Sequence, residues 1–325
     1  MCYKSTNYFR GYKTFSYFCT NLKGTMRHFF IIIVCTMLLM ACGADNNRPV
    51  TGHEYDEEDS TLLRVAVTPT LDCLPLFLAS DHDFFGREGV AVVLREYQAQ
   101  MDQDTAIERG RADILTTDLV RVERMKQRGT ALNYLAATNL SWQLYSKKMA
   151  RIKRLEQLDD KMLAMTRYSA TALLADLVVD SARLEPERVF RIQVNDIGVR
   201  LNMLETDIMD ALLLPEPQAT RARLLGSVLL LDSRTLDLNL GVMAVRQDFM
   251  DDEKRQAQVD AFMKAYTAAC DSINTYGVAY YESLIERFCN VRGVADSLPD
   301  NLKYDAAQMP RQQDIDQARR WLNQH

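Results

Sequence analysis

MDALLLPEPQATRARLLG, residues 209–226, places a short apolar run before a Glu-Pro pair and a following helical segment. An apolar run of this length, stopped by proline, is typical of a buried strand. A short apolar run also occurs earlier, in ADILTTD (112–118), directly after a helical segment that ends at Gly110. Strands that alternate with helices predict a parallel sheet covered by helices.

Matching segments occur twice along the chain. The first set of predicted strands is LLRVAV (62–67), VAVVLREY (90–97) and ADILTTD (112–118). The second set lies at the start of KMLAMTRYSATALLADLVVDS (161–181), in VFRIQVND (189–196) and within NMLETDIMDALLLPEP (202–217). Three matched positions lie 97 to 99 residues apart: Asp113 with Asp210, Val67 with Met165, and Val90 with Val189. The constant offset indicates two lobes of one topology, with chance similarity between common strand–helix units as the alternative.

We therefore expect an α/β fold with two similar lobes, mainly parallel sheets and a hinge of two chain crossings, near residues 141–145 and 237–241. The first lobe is predicted to comprise residues 62–144 and 239–325, and the second lobe residues 145–238. A strand predicted in NLGVMAVRQDF (239–249) returns the chain to the first lobe. The C-terminal helices, of which residues 251–273 carry a clear apolar face, are expected on the first lobe.

The segment MRHFFIIIVCTMLLMAC (26–42) has a basic start, an apolar run and a small residue before a cysteine. Its apolar run is too short for a bilayer span, which needs roughly 20 residues, and fits a secretory signal. The ending Leu39-Met40-Ala41-Cys42 resembles the lipobox of bacterial lipoproteins. This resemblance implies a signal peptide that ends at residue 41 and lipidation of Cys42. Because a complete signal begins at Met26 and needs no residues before it, we expect translation to start at Met26 rather than at residue 1. The alternatives are an ordinary cleaved signal, a buried helix, or a long basic extension before the signal.

Residues 42–61 are polar and acidic and predict a flexible tether. Removal of residues 1–41 takes away five of the 39 Lys and Arg and none of the 44 Asp and Glu, so the processed chain carries a net charge of −10. Such an acidic chain is not expected to bind nucleic acid, which requires a basic surface.

Few residues of the processed chain are suited to catalysis or metal binding. Its histidines are His53, His82 and His325, and it contains no CxxC, HExxH or glycine-rich phosphate loop. We expect no cofactor, no metal and no enzymatic activity. Cys270 and Cys289 either form a disulfide or are buried thiols.

From about Leu62 to Leu322 the chain resembles type-2 periplasmic-binding proteins of ABC importers. It is most similar to the nitrate, sulfonate and taurine binders and to the binders of thiamine pyrimidine precursors. The similarity lies in four segments: RVAVTPTLDCLPLFLA (64–79), GRAD (110–113), LAMTRYSATALL (163–174) and MDALLLPEPQATRARLLG (209–226). The resemblance implies a lipid-anchored monomer of the cell envelope, facing the periplasm or the exterior, that captures a small molecule and delivers it to a permease. An enzyme on the same fold, similar to menaquinone-pathway dehydratases, and a surface lipoprotein without a transport role are the alternatives.

Ligands of open α/β sheets bind beyond the carboxyl ends of the strands, so the turns at these ends are the predicted site. The candidate residues are Thr70, Asp72, Thr117, Asp118, Trp142, Thr166, Arg167, Tyr168, Ser169, Asn195 and Glu216.

Two chemistries compete at this site. Backbone N–H groups near Thr166 and Ser169, with Arg167, would favour an anion, although either hydroxyl could simply cap the helix. The acids Asp72, Asp118, Asp196 and Glu216 instead accept hydrogen bonds from amines. The rings of Trp142, Tyr145 and Tyr168 could stack on a flat ligand or belong to the core. An amine-bearing heterocycle, such as a pyrimidine related to thiamine, is the first expectation, and a sulfonate, taurine or nitrate the second.

Overall fold

The computed structural model describes residues 61–306 and 308–325. The signal peptide, the start at Met26 and lipidation at Cys42 lie outside these residues and stay predictions. Within the described part of the chain no helix is long and apolar enough to cross a membrane.

Ten strands of the described chain form two five-stranded sheets. The strands are β1 Leu63–Val67, β2 Val92–Glu96, β3 Ile114–Asp118, β4 Leu132–Ala137, β5 Gln143–Ser146, β6 Lys161–Met165, β7 Val189–Gln193, β8 Ala211–Leu214, β9 Val228–Asp232 and β10 Gly241–Arg246. The first sheet has the order β2-β1-β3-β10-β4, and the second has the order β7-β6-β8-β5-β9. In each sheet the fourth strand, β10 or β5, is antiparallel to both of its neighbours.

Helices follow most of the strands. They are α1 Leu74–Asp81, α2 Phe84–Arg87, α3 Gln100–Glu108, α4 Leu119–Gln127, α5 Ala170–Ser181, α6 Ile197–Glu205, α7 Gln218–Leu224, α8 Gln247–Asp251, α9 Glu253–Tyr276, α10 Glu282–Cys289 and α11 Gln312–Leu322. Short 3-10 turns, such as Leu71–Cys73, connect several elements.

The two sheets share one topology, which confirms the predicted α/β fold with two similar lobes. Strand β1 pairs in parallel with β2 and β3, and β6 pairs in the same way with β7 and β8. The repeat arises because each central strand carries apolar side chains that helices cover on both faces. Strand β3 illustrates this, since all five of its residues are buried.

The chain crosses between the sheets twice. The first crossing joins β4, which ends at Ala137, to β5, which begins the second sheet at Gln143. The second crossing runs from Asp232 to Gly241 at the start of β10. A Cβ atom at Gly241 would lie 2.5 Å from Oγ1 of Thr138, so only glycine lets the two crossings approach this closely.

The long helix α9 packs on α1 and α2 of the first lobe. Its buried face carries Val259, Phe262, Tyr266, Cys270 and Ile273, at the helical spacing that the sequence predicts. The ring of Phe262 stacks on Phe85 of α2 with centroids 5.4 Å apart. Truncation of a buried aromatic ring of this kind to alanine costs about 3–5 kcal/mol of stability.

The C-terminal helices divide between two positions. Helix α10 packs on α1, within the first lobe as predicted, whereas α11 packs on α4 and also contacts α5 of the second lobe. The Trp321 indole N–H donates to Oδ2 of Asp176 on α5 over 2.7 Å. Helix α11 therefore connects the two lobes.

The described cysteines Cys73, Cys270 and Cys289 are free and buried. Burial raises the pKa of Cys270 to about 12. Of the two alternatives that the sequence left open for Cys270 and Cys289, the structure shows buried thiols.

Candidate functional site

The carboxyl ends of the central strands face each other across the seam between the lobes. Three hydrogen bonds cross this seam close to these ends. The backbone N–H of Ala170 donates to Oδ1 of Asp118 at 3.0 Å, and that of Leu71 donates to the carbonyl of Glu216 at 2.9 Å. The side-chain amide of Gln218 donates to the Pro69 carbonyl at 2.8 Å. The lobes are therefore closed on each other in this structure.

Asp72 lies on the first lobe, in the 3-10 turn that follows β1. Its side chain is buried, and its Oδ1 atom has no hydrogen-bond partner among the described residues. Burial raises the pKa of Asp72 to about 6, and the nearby hydroxyls of Thr70 and Thr138 offset only part of this effect. A ligand that donates a hydrogen bond to Oδ1 would stabilise the charged carboxylate and lower this pKa.

The neighbouring thiol of Cys73 is a packing group. Its Sγ atom lies 3.0 Å from the Thr116 hydroxyl, and burial with the adjacent Asp72 carboxylate raises its pKa to about 12. A thiol with this pKa remains protonated at neutral pH and is a poor nucleophile.

Thr117 and Asp118 end strand β3. Asp118 caps helix α4 by accepting a hydrogen bond of 3.1 Å from the Arg121 N–H. Its Oδ1 atom also accepts from Ala170, whereas its Oδ2 atom and the Thr117 hydroxyl are buried without a partner. Burial raises the pKa of Asp118 to about 7.

Thr166 and Ser169 begin helix α5 in the second lobe. The Ser169 hydroxyl accepts a hydrogen bond from the Thr171 N–H at 3.1 Å and donates to the Thr166 carbonyl at 2.8 Å. The Thr166 hydroxyl contacts the Arg200 guanidinium. Ser169 therefore acts as the helix cap that the sequence offered as an alternative to anion binding.

Sequence reasoning missed Arg200, which is buried on α6. Its guanidinium donates to the carbonyls of Val194 at 2.7 Å and Leu213 at 3.0 Å, so it joins the carboxyl ends of β7 and β8. Burial lowers its pKa to about 10. No motif around residue 200 distinguishes this arginine from an exposed helical residue.

The Glu216 carboxylate is held within the second lobe. Its Oε1 atom accepts from the Gln143 amide at 2.7 Å, and its Oε2 atom accepts from the Thr220 N–H at 3.0 Å. The Tyr145 hydroxyl in turn donates to Oε1 of Gln143 at 2.9 Å. Sequence reasoning missed Gln143, which orients both predicted side chains.

Trp142 lies in the hinge. Its backbone N–H donates to the Ser233 hydroxyl at 2.9 Å, and its carbonyl accepts from the Ser233 N–H at 2.9 Å. Its ring is buried. Trp142 and the buried Tyr145 thus have the packing role that the sequence offered as an alternative to stacking.

Three remaining candidates lie away from the buried seam. Asn195 is half-buried at the rim, where its amide contacts Sδ of Met101 in the first lobe at 3.1 Å. Arg167 and Tyr168 line a separate cavity next to Trp321. Their side chains therefore do not join Asp72 and Asp118.

The buried seam collects polar atoms that lack partners. They are Asp72 Oδ1, Thr117 Oγ1, Asp118 Oδ2, Arg121 Nη1 and Thr138 Oγ1 on the first lobe, and Gln218 Oε1 and Thr220 Oγ1 on the second. Three of these are pure acceptors, and the hydroxyls can also accept. A buried polar group without a partner costs about 1–3 kcal/mol, so a cluster of them indicates a place where a ligand supplies hydrogen bonds. In the described chain no group of His, Cys, Asp and Glu could hold a metal ion.

Comparison with known families identifies the chain. The family model described as "NMT1/THI5 like" matches residues 70–275, which include every strand of both sheets except β1. The chain belongs to the NMT1/THI5-like family. No curated protein sequence matches it.

Several solved structures of ligand-binding proteins share this fold. The alkanesulfonate-binding protein SsuA from Xanthomonas axonopodis pv. citri, bound to MOPS, is 15% identical over 81% of this chain and 91% of its own, with a TM-score of 0.68. The ligand-binding component of an ABC-type import system from Staphylococcus aureus, with zinc bound, is 15% identical over 82% and 92%, with a TM-score of 0.66. The periplasmic nitrate-binding protein NrtA from Synechocystis PCC 6803 is 15% identical over 83% and 76%, with a TM-score of 0.64. These similarities confirm the resemblance and the two-lobe fold.

Proposed function

We propose that this NMT1/THI5-like protein is the substrate-binding protein of an ABC importer, anchored in the cell envelope through a lipid on Cys42. It captures one small molecule between the lobes and presents the closed form to a permease. The two-lobe fold, the family match and the buried polar seam support this function.

The unpartnered acceptors of the seam carry the proposal for the ligand. Asp72 Oδ1, Asp118 Oδ2 and Gln218 Oε1 would each accept a hydrogen bond from an N–H group. The ligand is therefore a donor-rich molecule, and an amine-bearing heterocycle such as a thiamine-related pyrimidine fits this requirement.

A sulfonate, taurine or nitrate is the second candidate class. Its strongest support was the start of helix α5, but the Ala170 N–H there already contacts the Asp118 carboxylate. Arg167, the expected counter-charge, lines a different cavity. An anion at the seam would also face the carboxyl groups of Asp72 and Asp118, which disfavours its binding. The buried guanidinium groups of Arg121, beside Asp118, and of Arg200, at Thr166, offset part of this repulsion.

The proposal includes no catalytic step. The described thiols near the seam are buried, and the pKa of Cys73 is raised to about 12. His82 lies at the end of α1 with its side chain 49% exposed, 3.4 Å from Asp81. Neither group is paired as a nucleophile and its base.

A binding experiment with matched probes tests this function. The chain without its signal peptide is titrated with 4-amino-5-hydroxymethyl-2-methylpyrimidine and with the analogue that has a hydroxyl in place of the amine. At 100 times its Kd the amine should raise the free energy of unfolding by about 2.7 kcal/mol, which appears as a higher unfolding midpoint. The hydroxyl analogue should bind more weakly. Binding of taurine, an alkanesulfonate or nitrate without binding of the pyrimidine would overturn the ligand class.

A further inference from the structure

A cavity lies where helix α11 meets the edge of the second lobe. Its volume is about 340 Å³, within the range of small-molecule sites. It is lined by Met165, Arg167, Tyr168, Ala172, Asp176, Val189, Arg191, Trp321 and His325. None of the unpartnered seam atoms belongs to this lining, so the α11 cavity is distinct from the proposed transport site.

Aromatic rings form part of the cavity wall and are held in place. The ring of Trp321 stacks on His325 with centroids 4.5 Å apart, and its indole N–H is fixed by Asp176. The guanidinium of Arg124 lies 4.1 Å from the centroid of the Tyr168 ring. These contacts fix the orientation of both rings.

The charged side chains that line the α11 cavity are Arg167, Arg191 and Asp176. Asp176 already accepts from Arg191 at 2.7 Å and from Trp321, and His325 Nε2 lies 3.1 Å from it. The Nε atom of Arg191 is nevertheless buried without a hydrogen-bond partner. Arg167 is exposed and makes no ion pair within residues 61–306 and 308–325. Two guanidinium groups thus have donors free for an anion.

We propose that the α11 cavity is a second small-molecule site, which binds a planar aromatic carboxylate. The carboxylate is held by Arg167 and by Nε of Arg191, and the ring lies against Trp321 and Tyr168. This assignment does not depend on the identity of the ligand between the lobes.

Nicotinate and nicotinamide test the site because they share a ring and differ in charge. The chain contains two tryptophans, Trp142 in the hinge and Trp321 in the α11 cavity, so its ¹⁵N spectrum has two indole signals. Nicotinate should shift the Trp321 signal in a saturable way and leave Trp142 unchanged. Nicotinamide should bind at least tenfold more weakly, because it lacks the charge that pairs with arginine.

Two substitutions localise the binding. Arg167→Gln should weaken nicotinate binding at least tenfold, whereas Arg183→Gln, at an exposed arginine just after the same helix α5, should not change it. Thr117→Val at the seam should also leave nicotinate binding unchanged. Absence of a Trp321 shift, equal binding of nicotinamide, or equal loss in both arginine variants would overturn the proposal. If sulfate at the same concentration displaces nicotinate, the α11 cavity is a simple anion site. That result would overturn the proposed contact of an aromatic ring with Trp321 and Tyr168.

Discussion

Oδ1 of Asp118 in the first lobe accepts a hydrogen bond of 3.0 Å from the backbone N–H of Ala170 in the second lobe. The same carboxylate caps helix α4 through the Arg121 N–H. The first turn of helix α5 needs a hydrogen-bond acceptor, and the Asp118 carboxyl group supplies it. Asp118 therefore links closure of the lobes to the end of strand β3, where the proposed ligand binds.

Replacement of Asp118 should weaken closure. Asp118→Ala removes the acceptor for Ala170, so the particle should be less compact in small-angle scattering and the ligand should bind about tenfold more weakly. Asp118→Asn keeps an oxygen acceptor and the helix cap, and should be closer to wild type in compaction.

Asp180→Ala is the matched control, because Asp180 is an exposed acid near the other end of α5. It should change neither the radius nor the affinity. An Asp118→Ala protein with the wild-type radius and affinity would show that this hydrogen bond does not hold the lobes together.

Stability should depend on pH through the two buried acids of the seam. The pKa of Asp72 is raised to about 6 and that of Asp118 to about 7, both by burial, while an unfolded aspartate titrates near 4. The folded state therefore binds more protons between about pH 4 and pH 7. Its free energy of unfolding should fall as pH rises through this window, by about 1.4 kcal/mol per pH unit for each acid within its own range.

The measurement is urea unfolding of the ligand-free chain at pH 5, 6, 7 and 8. Asp72→Asn should reduce the slope between pH 5 and 6, and Asp118→Asn should reduce it up to pH 7. Asp180→Asn should leave the slope unchanged. Identical slopes in all four proteins would contradict a raised pKa at either seam position.

Glu216 should contribute more to folding than to ligand contact. Glu216→Ala leaves the buried Gln143 amide and the Thr220 N–H without their acceptor, which should lower the free energy of unfolding by about 1–3 kcal/mol. Glu216→Gln retains one oxygen and should lose less. Urea unfolding measures the change, and unchanged stability with weaker ligand binding would instead make Glu216 a contact residue.

The repeated strand–helix order could be predicted from the sequence because it depends on local patterns of apolar residues. The apolar runs of β1, β3, β6 and β8 and the paired aspartates at 113 and 210 indicated two lobes of one topology. Strands β4, β5 and β9 were not predicted individually. Each of them lies at or next to the sheet edge farthest from β1 or β6, and its pairing partner is distant in sequence.

The site was harder to predict than the fold. Strand order identified the turns that hold Asp72, Thr117 and Asp118, since carboxyl ends of parallel strands share one edge. Strand order could not show that the Glu216 carboxylate accepts a hydrogen bond from the Gln143 amide, because this depends on side-chain direction. It also could not show that Arg167 lines another cavity, because this depends on the placement of helix α11.

Cys42 should anchor the protein, a prediction that concerns residues outside the described structure. Cys42→Ala should release the protein from the membrane fraction, because the thiol that carries the lipid is lost. A gene starting at Met26 should give normal export, since a complete signal begins there. Cys42→Ala protein that fractionates with membranes as wild type does would contradict lipidation, and failed export from Met26 would contradict the start.

Thr117→Val should separate binding from folding most cleanly. The Thr117 hydroxyl is buried on β3 without a partner, and valine has almost the same shape. Removal of an unpartnered hydroxyl should leave the ligand-free stability unchanged or higher, whereas the lost hydrogen bond to the ligand should weaken its binding about two- to tenfold. Thr105→Val, at a more exposed threonine of helix α3, is the control and should keep wild-type affinity. If calorimetry gives Thr117→Val the wild-type affinity for the pyrimidine, the Thr117 hydroxyl does not contact the ligand.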